Sequence, residues 1–425
     1  MNEGIRVDGV HMHLENKKIS RNFFWLLWIM YAVVYMTKNC YSAAMAAIVN
    51  EGILTKSQTG LISAVFYGVY APLQILGGVF ADKYNPERMI KIGLVGSGVA
   101  NLIIFFNQNY YVMLAVWTFN AIIQFALWPS VFKVISSQLE PGYRAKGVYY
   151  ISFSSTFGLI LSYFVAAIVS KWQYNFIISA VALFVFAILF HIVDISVEKH
   201  MMPDYNTRLK DGIVKAKESD VPTWKLFLYS GFYILILVTV LRTVTANGIK
   251  TLTATFLMES YERISPSIGN LLNILIIVAG ILGVMFVNQF LYPRLVRNEV
   301  VATLLLVGVA IIPVSVMILV GKISVTAIIL ALCMAAFLLT ATNMLASRCC
   351  AAFARYGKNG LASGVNNSCS SIAIMLQSYV VVAIADHSGW KMVIILWIMM
   401  LVVSAVCLII TIPMWKRFKG RRMKA

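Results

Sequence analysis

Gly78-Val-Phe-Ala-Asp82-Lys83-Tyr-Asn-Pro86-Glu-Arg88 stands between two apolar runs, 58–81 and 89–106. The hydrocarbon core of a bilayer, about 30 Å thick, takes about 20 helical residues to cross, and both runs are near that length or longer. The polar step between them therefore reads as a tight turn joining two membrane spans. Gly78 leaves room for a second helix to approach closely. Asp82 falls at the C-terminal end of its helix, where the helix dipole disfavours an anion, so it needs a basic residue or a helix N-terminus as partner. A contact of that kind, with Lys83 and Arg88 beside it, suits a gate that closes in one state of the molecule and opens in another.

Outward from this turn the pattern repeats. Apolar runs of membrane length fall at 23–49, 58–81, 89–106, 110–134, 147–170 and 176–195, and again at 226–258, 268–291, 300–320, 325–346, 361–385 and 392–414. The expected fold is an all-α membrane protein of twelve transmembrane helices in two six-helix, pseudo-symmetric bundles. Its parts are an N-terminal segment 1–22, a bundle 23–197, a linker 198–225, a second bundle 226–414 and a basic tail 415–425. Composition agrees, with 60% hydrophobic and 12% charged residues, against about 25% charged in soluble domains. The first apolar run is too long for a cleaved leader and is expected to remain as the first span.

The net charge of +18 would suggest nucleic acid in a soluble protein, but its placement argues otherwise. With the N-terminus inside, about 27 of the 35 Lys and Arg residues fall on cytoplasmic segments and about five on external turns (Lys56, Lys171, Arg263, Lys322, Lys391). That bias puts both termini in the cytoplasm of a multi-pass plasma-membrane protein, with the tail 416–424 against anionic headgroups and no nucleic-acid partner. None of the six cysteines has metal-ligand spacing, and no cofactor is expected.

Three cations remain inside the apolar runs: Lys38, Arg242 and Lys250. A charge at mid-bilayer costs from about 2.5 to more than about 10 kcal/mol, depending on the reference. No Asp or Glu lies in the central part of any run. Cations kept under those conditions suit the binding of an anion. Tyr35 and Tyr41, Asn120, Gln124 and Trp128, Ser155, and Asn366 and Asn367 are expected to complete the site. Asn120, Gln124 and Trp128 step by four and share one helix face. His191 is expected to pair locally with Asp194.

The two halves also echo each other, Ser162-Tyr-Phe-Val-Ala-Ala-Ile168 against Ser378-Tyr-Val-Val-Val-Ala-Ile384. An internal repeat is the mark of transporters with a site near the midplane; chance likeness of two apolar helices is the alternative.

The turn at 78–88 is similar to the signature loop of the major facilitator superfamily. The corresponding second-half segment, Asn288-Gln289-Phe-Leu-Tyr-Pro293-Arg294, keeps the proline and arginine and lacks the acid, so asymmetric gating is expected. Within the superfamily, Tyr35-Met-Thr-Lys38-Asn-Cys40-Tyr41-Ser-Ala-Ala44 resembles the first span of the organophosphate:phosphate antiporter family and its poorly characterised bacterial relatives. Asp82-Lys-Tyr-Asn-Pro86, Trp128-Pro129-Ser130 and Tyr356-Gly-Lys-Asn-Gly360 match that family as well. The resemblance implies that Lys38 stands at a phosphate-binding arginine, Cys40 at an asparagine and Ser155 near a histidine. Ala246 takes the place of the second arginine, between Arg242 and Lys250. Lysine lacks the planar fork that grips phosphate in two places, so the sign of the site is kept and its geometry altered.

The reading is a secondary transporter, not an enzyme, that moves a small organic anion by exchange or symport and works as a monomer. A proton-linked sugar or drug carrier, or a transporter-like ligand sensor without turnover, stays open on sequence.

Overall fold

The computed structural model describes residues 11–204, 222–296, 298–320, 324–356 and 358–420. Apart from a short antiparallel pair, β1 (His11–Leu14) with β2 (Met201–Asp204), the described elements are helices. In chain order they are α1 (Lys17–Asn50), α2 (Lys56–Lys83), α3 (Pro86–Phe106), α4 (Tyr110–Gln124), α5 (Leu127–Gln138), α6 (Pro141–Ile168) and α7 (Tyr174–Glu198). There follow α8 (Thr223–Ser230), α9 (Phe232–Thr251), α10 (Thr253–Ser260), α11 (Pro266–Phe286), α12 (Glu299–Val320), α13 (Val325–Ala351), α14 (Asn359–Leu376) and α15 (Val382–Gly420). Two π-helical stretches, Val287–Leu295 and Gln377–Val381, continue α11 and α14.

Local chemistry sets the starts of these helices. Asn85 caps α3 by accepting from the Arg88 N–H at 2.8 Å, with Pro86 in the first turn. Asn109 caps α4, and Ser265 followed by Pro266 caps α11. At α2, Thr55 and Gln58 exchange bonds, Thr55 N–H to Gln58 Oε1 at 2.9 Å and Gln58 N–H to Thr55 Oγ1 at 3.2 Å. Each such cap contributes about 1 kcal/mol.

Among the described residues nine helical stretches are long and apolar enough to cross a membrane. One of them, Leu361–Gly420, covers 60 residues and both runs expected there; Gly389, at φ 76°, breaks its helical geometry. Among the described residues Phe153–Ile168 of α6 is a shorter apolar stretch, and Pro72 lies within α2. The apolar surface is patterned as lipid contact requires. On α7, Ile178, Val181, Val185, Ile188, Ile192 and Ile195 are exposed at alternating steps of three and four, while Phe176, Ala180, Leu183 and Phe190 are buried. Asp194 is held by Lys91 of α3 at 2.7 Å, and His191, its expected partner, is exposed.

The chain packs as two compact units, Met1–Tyr41 with Leu73–Ser162 and Ser170–Lys217, and Ser42–Pro72 with Tyr163–Val169 and Glu218–Ala425. The second unit thus takes in the end of α1, most of α2 and the end of α6. In the first, α6 lies against α1 at Gly158, where a Cβ would overlap the Ala32 carbonyl oxygen and come within 2.7 Å of Tyr35 Cβ. Gly158→Val is expected to lower stability by about 1–3 kcal/mol through overpacking, read as a drop in Tm in detergent. Gly364→Ala, with open space around it, should leave Tm nearly unchanged.

Candidate functional site

In the first unit the candidate residues gather around α1. Lys38 is half-buried, with its Nζ 5.7 Å from the centre of the Tyr35 ring. Tyr35 packs against Tyr31 at 5.4 Å between ring centres, and Tyr31 against Trp128 at 5.0 Å. A ring face attracts a cation and tolerates its partly dry surroundings. The wall Trp128, Tyr31, Tyr35 therefore ends at an ammonium group. Asn39 donates to the Tyr35 carbonyl at 2.7 Å, which fixes this turn of α1.

Trp128 reaches the wall because the fourth apolar run is broken. The break between α4 and α5 comes just before Pro129, which has no N–H to offer Phe125. Gly77 of α2 lies against that carbonyl, where a Cβ would sit 2.8 Å from the oxygen. Asn120 and Gln124 are both buried and bond each other, Gln124 Nε2 to Asn120 Oδ1 at 3.0 Å. Asn120 Nδ2 has no partner among the described residues. Ser155 is half-buried on α6. Tyr41 turns away into the core, 1% exposed, with its ring 5.5 Å from that of Trp117. Cys40 donates to the Thr37 carbonyl and to Asn101 Oδ1.

The second unit holds the other two cations on α9. Arg242 is 1% exposed. Its Nη1 donates to Thr342 Oγ1 at 3.0 Å and Asn343 Oδ1 at 2.5 Å on α13, both neutral groups. Its Nη2 has no partner among the described residues. Arg242 and Asn366 line one cavity together with Thr239, Thr303 and Thr342. The cavity has about 20 Å³ of room for water, enough for about one molecule. Thr239 donates to Asn366 Oδ1 at 3.2 Å, whereas Asn367 is exposed.

Lys250 stands two turns beyond Arg242, about 12 Å along the axis, beside an interruption at Leu252 where α9 gives way to α10. The interruption frees the Lys250 carbonyl, which accepts from Asn273 Nδ2 at 2.7 Å and Tyr163 Oη at 3.2 Å. The Lys250 ammonium makes no ion pair among the described residues. On the same turns Asn247 donates to Gln377 Oε1 at 2.5 Å and Thr251 to the same oxygen at 3.4 Å. Gln377 opens a π-helical turn, the kind of local irregularity that recurs at functional sites. Broken helices with satisfied ends are also how membrane transporters build polar sites at depth. Tyr163, Asn247 and Thr251 are absent from the sequence-based site; the density of Asn and Thr over 245–255 signals the last two, and nothing local signals Tyr163.

Of the gate residues, the side chains of Gly78, Asp82 and Lys83 lie outside the described ones; Arg88 is exposed on α3. The second-half segment 288–294 has no acid of its own, and Glu299, from the helix that follows, packs against it. Glu299, 5% exposed at the start of α12, accepts from Tyr292 Oη at 2.7 Å, Trp415 Nε1 at 3.1 Å and Lys419 Nζ at 2.9 and 3.0 Å. Arg348 caps the network, 4.4 Å above the Tyr292 ring and bonded to Asn288 Oδ1 at 2.8 Å.

A second charged cluster lies at the start of α2. Lys56 pairs with Glu259 of α10 at 2.8 Å and stands 3.8 Å from Asp386 of α15. Ser57 donates to Asp386 at 2.7 Å and Trp390 Nε1 to Glu259 at 2.7 Å. This cluster ties a segment of the N-terminal half to two helices of the C-terminal half.

A family model described as Major Facilitator Superfamily matches residues 27–378. Over 104 residues the chain is 32% identical to the membrane sensor protein UhpC of Salmonella typhimurium, covering 24% of each chain. It is 24% identical over 113 residues to a probable hexose phosphate transport protein of Chlamydia trachomatis, covering 27% of this chain and 25% of that one. Identity to the probable sulfoacetate transporter SauU of Cupriavidus necator is 28% over 157 residues, 36% of each. These matches span about a quarter to a third of the relatives' lengths. The crystal structure of a bacterial homolog to the human lysosomal transporter Spinster, inward-facing and occupied, superposes with a TM-score of 0.75 at 14% identity, over 96% of this chain and 100% of that one. That likeness is one of fold. With the helical architecture and a family match across most of its length, the chain belongs to the Major Facilitator Superfamily.

Proposed function

We propose that this chain is a secondary active transporter of a small organic anion, with Lys38, Arg242 and Lys250 as the anion-binding cations. Twelve spans, with bundles at 23–197 and 226–414 and both termini cytoplasmic, would carry it through alternating access in a plasma membrane, as a monomer. The observation that carries the reading is Arg242. Among the described residues this buried guanidinium is held by neutral groups and no carboxylate pairs with it, and an uncompensated buried charge is costly unless it has a use. The relatives named for hexose phosphate and sulfoacetate support an anion as cargo. Exchange suits a cavity whose charge resists crossing empty. Tyr35, Tyr41, Asn120, Gln124, Trp128, Ser155, Asn366 and Asn367 are proposed as the polar lining, and Gly78, Asp82, Lys83 and Arg88 as the cytoplasmic gate.

A screen of anionic metabolites by thermal shift tests the binding claim, since a ligand of the folded state raises Tm by mass action. Phosphate esters, carboxylates or sulfonates should raise Tm, and the rise should vanish in the Arg242→Ala, Lys250→Ala double variant. A rise only with neutral sugars or organic cations would reject it.

The likeness to a membrane sensor protein favours one second reading, a ligand sensor that binds without turnover. It predicts the same thermal shifts with no flux in liposomes.

On this reading the Lys56 cluster is a latch for the external side. Glu259→Gln weakens its bonds to both Lys56 and Trp390. Because these side chains are partly exposed, the expected cost is at most about 1 kcal/mol, a shift of about fivefold in the population open at that end. Spin labels at Ile53 and His387 would report it as a longer distance component; an unchanged distance distribution would remove the latch from the account.

A further inference from the structure

At the start of α1, Lys17, Lys18 and Arg21 are all exposed and line a recess of about 470 Å³ with Glu140, Gly142 and Tyr143. The recess is held in shape on both sides. Asn16 caps α1 by accepting from the Lys18 and Ile19 N–H groups at 2.9 and 3.2 Å. Ser20 Oγ accepts from the Glu140 N–H at 3.0 Å, which ties the turn before α6 to the first turns of α1. The Tyr143 ring meets Phe24 edge-on, 5.5 Å between centres. Three cations thus face one carboxylate, and none of the three makes an ion pair among the described residues. The Glu140 carboxylate instead lies over the first turn of α6, 3.0 Å from where a Gly142 Cβ would stand, a helix end that favours an anion.

The surface continuous with this recess is apolar. Steps of three and four along α1 lead from Lys18 and Arg21 to Trp25 and Ile29, 47% and 46% exposed. Beside them on α6, Tyr150 and Phe157 are 48% and 50% exposed. Trp28 links the two helices, its ring 5.5 Å from Phe157 and its Nε1 donating to the Tyr150 carbonyl at 3.0 Å. At 34 residues α1 is about 51 Å long, longer than the hydrocarbon layer, so its basic first turn projects into the headgroup region. Aromatic side chains at that depth are typical of the interface.

We propose that this recess binds the headgroup phosphate of an anionic phospholipid, with an acyl chain lying on the Trp25, Ile29 and Phe157 face. The site is separate from the cations of the transport reading. A soluble phosphate would find the same charges and gain nothing from the apolar face, which is why the lipid is the assigned occupant.

The test uses the full chain in nanodiscs of phosphatidylcholine mixed with phosphatidylglycerol, with bound lipid counted by native mass spectrometry after transfer to detergent. The wild type should retain phosphatidylglycerol over phosphatidylcholine. Lys17→Gln, Lys18→Gln and Arg21→Gln together should cut that preference at least about tenfold, given about fivefold per basic residue near an anionic surface. The charge-keeping swap Lys17→Arg, Lys18→Arg, Arg21→Lys should keep it. Should the triple variant misfold, Lys18→Glu alone is expected to lower the preference about fivefold or more. An unchanged preference in the neutralised variants would overturn the proposal. So would displacement of the lipid by millimolar inorganic phosphate, which would mark a soluble-anion site.

Discussion

Lys38→Ala should reduce anion exchange by about a hundredfold while leaving the protein folded. A charge-assisted hydrogen bond contributes about 1.5–3 kcal/mol, and two decades in affinity correspond to about 2.7 kcal/mol. Removing the ammonium loses that bond and leaves a bound anion against the faces of Tyr35 and Tyr31, which repel it. The fold should not suffer, because a half-buried lysine costs desolvation that alanine does not. Lys38→Arg is the informative companion. It keeps the charge and adds the planar fork, so exchange should recover and shift in favour of phosphate esters and carboxylates that accept two parallel bonds. Full exchange activity in Lys38→Ala would show that the lysine is not a ligand. Loss of activity accompanied by a large fall in Tm would show that it acts on the fold instead.

Glu299→Ala should be the most destabilising single change outside the apolar core. The carboxylate is 5% exposed and takes four hydrogen bonds, from Tyr292, Trp415 and twice from Lys419. Breaking a buried charge pair costs about 3–5 kcal/mol. The Lys419 side chain is 41% exposed, so solvent can take over part of its share, and about 2–3 kcal/mol is expected here. Trp415 adds to the effect. It packs in an aromatic cluster with Phe353 and Phe418, at ring distances of 6.3 and 5.3 Å, and its indole N–H would be left buried without an acceptor. Glu299→Gln should cost about half as much, since the amide oxygen still accepts from Tyr292 or Trp415. Thermal unfolding in detergent reads both; equal Tm values for wild type and Glu299→Ala would mean that this network does not hold α15 in place.

The part of this molecule that the sequence reveals is the part decided locally. Apolar runs of membrane length, caps such as Asn85-Pro86, and the oddity of Lys38, Arg242 and Lys250 need no knowledge of what lies across the bundle. Partners far apart in sequence are another matter. Glu299 and Lys419 are 120 residues apart, and Lys56 and Glu259 are 203 apart, so nothing in either neighbourhood identifies the pair. The same limit explains Asp194, which takes Lys91 from another helix over His191 on its own. The interruption at Leu252 and the π-helical turn at Gln377 are hidden for a different reason. Both are backbone departures within runs that still read as regular helix; at the first, Asn273 and Tyr163 satisfy the freed Lys250 carbonyl, and at the second, Asn247 bonds the Gln377 side chain. The fourth run is an intermediate case, since Pro129 announces a break but not that it would carry Trp128 to Tyr31.

The central claim is that the retained cations serve an organic anion, and counterflow in liposomes tests it most directly. Purified protein would be reconstituted, loaded with a phosphate ester or carboxylate, and offered the labelled solute outside. The account predicts accumulation that depends on an anion inside, is unaffected by collapse of a proton gradient, and is lost in the Lys38→Ala, Arg242→Ala double variant. Accumulation that survives in that variant, or that prefers organic cations, would contradict it.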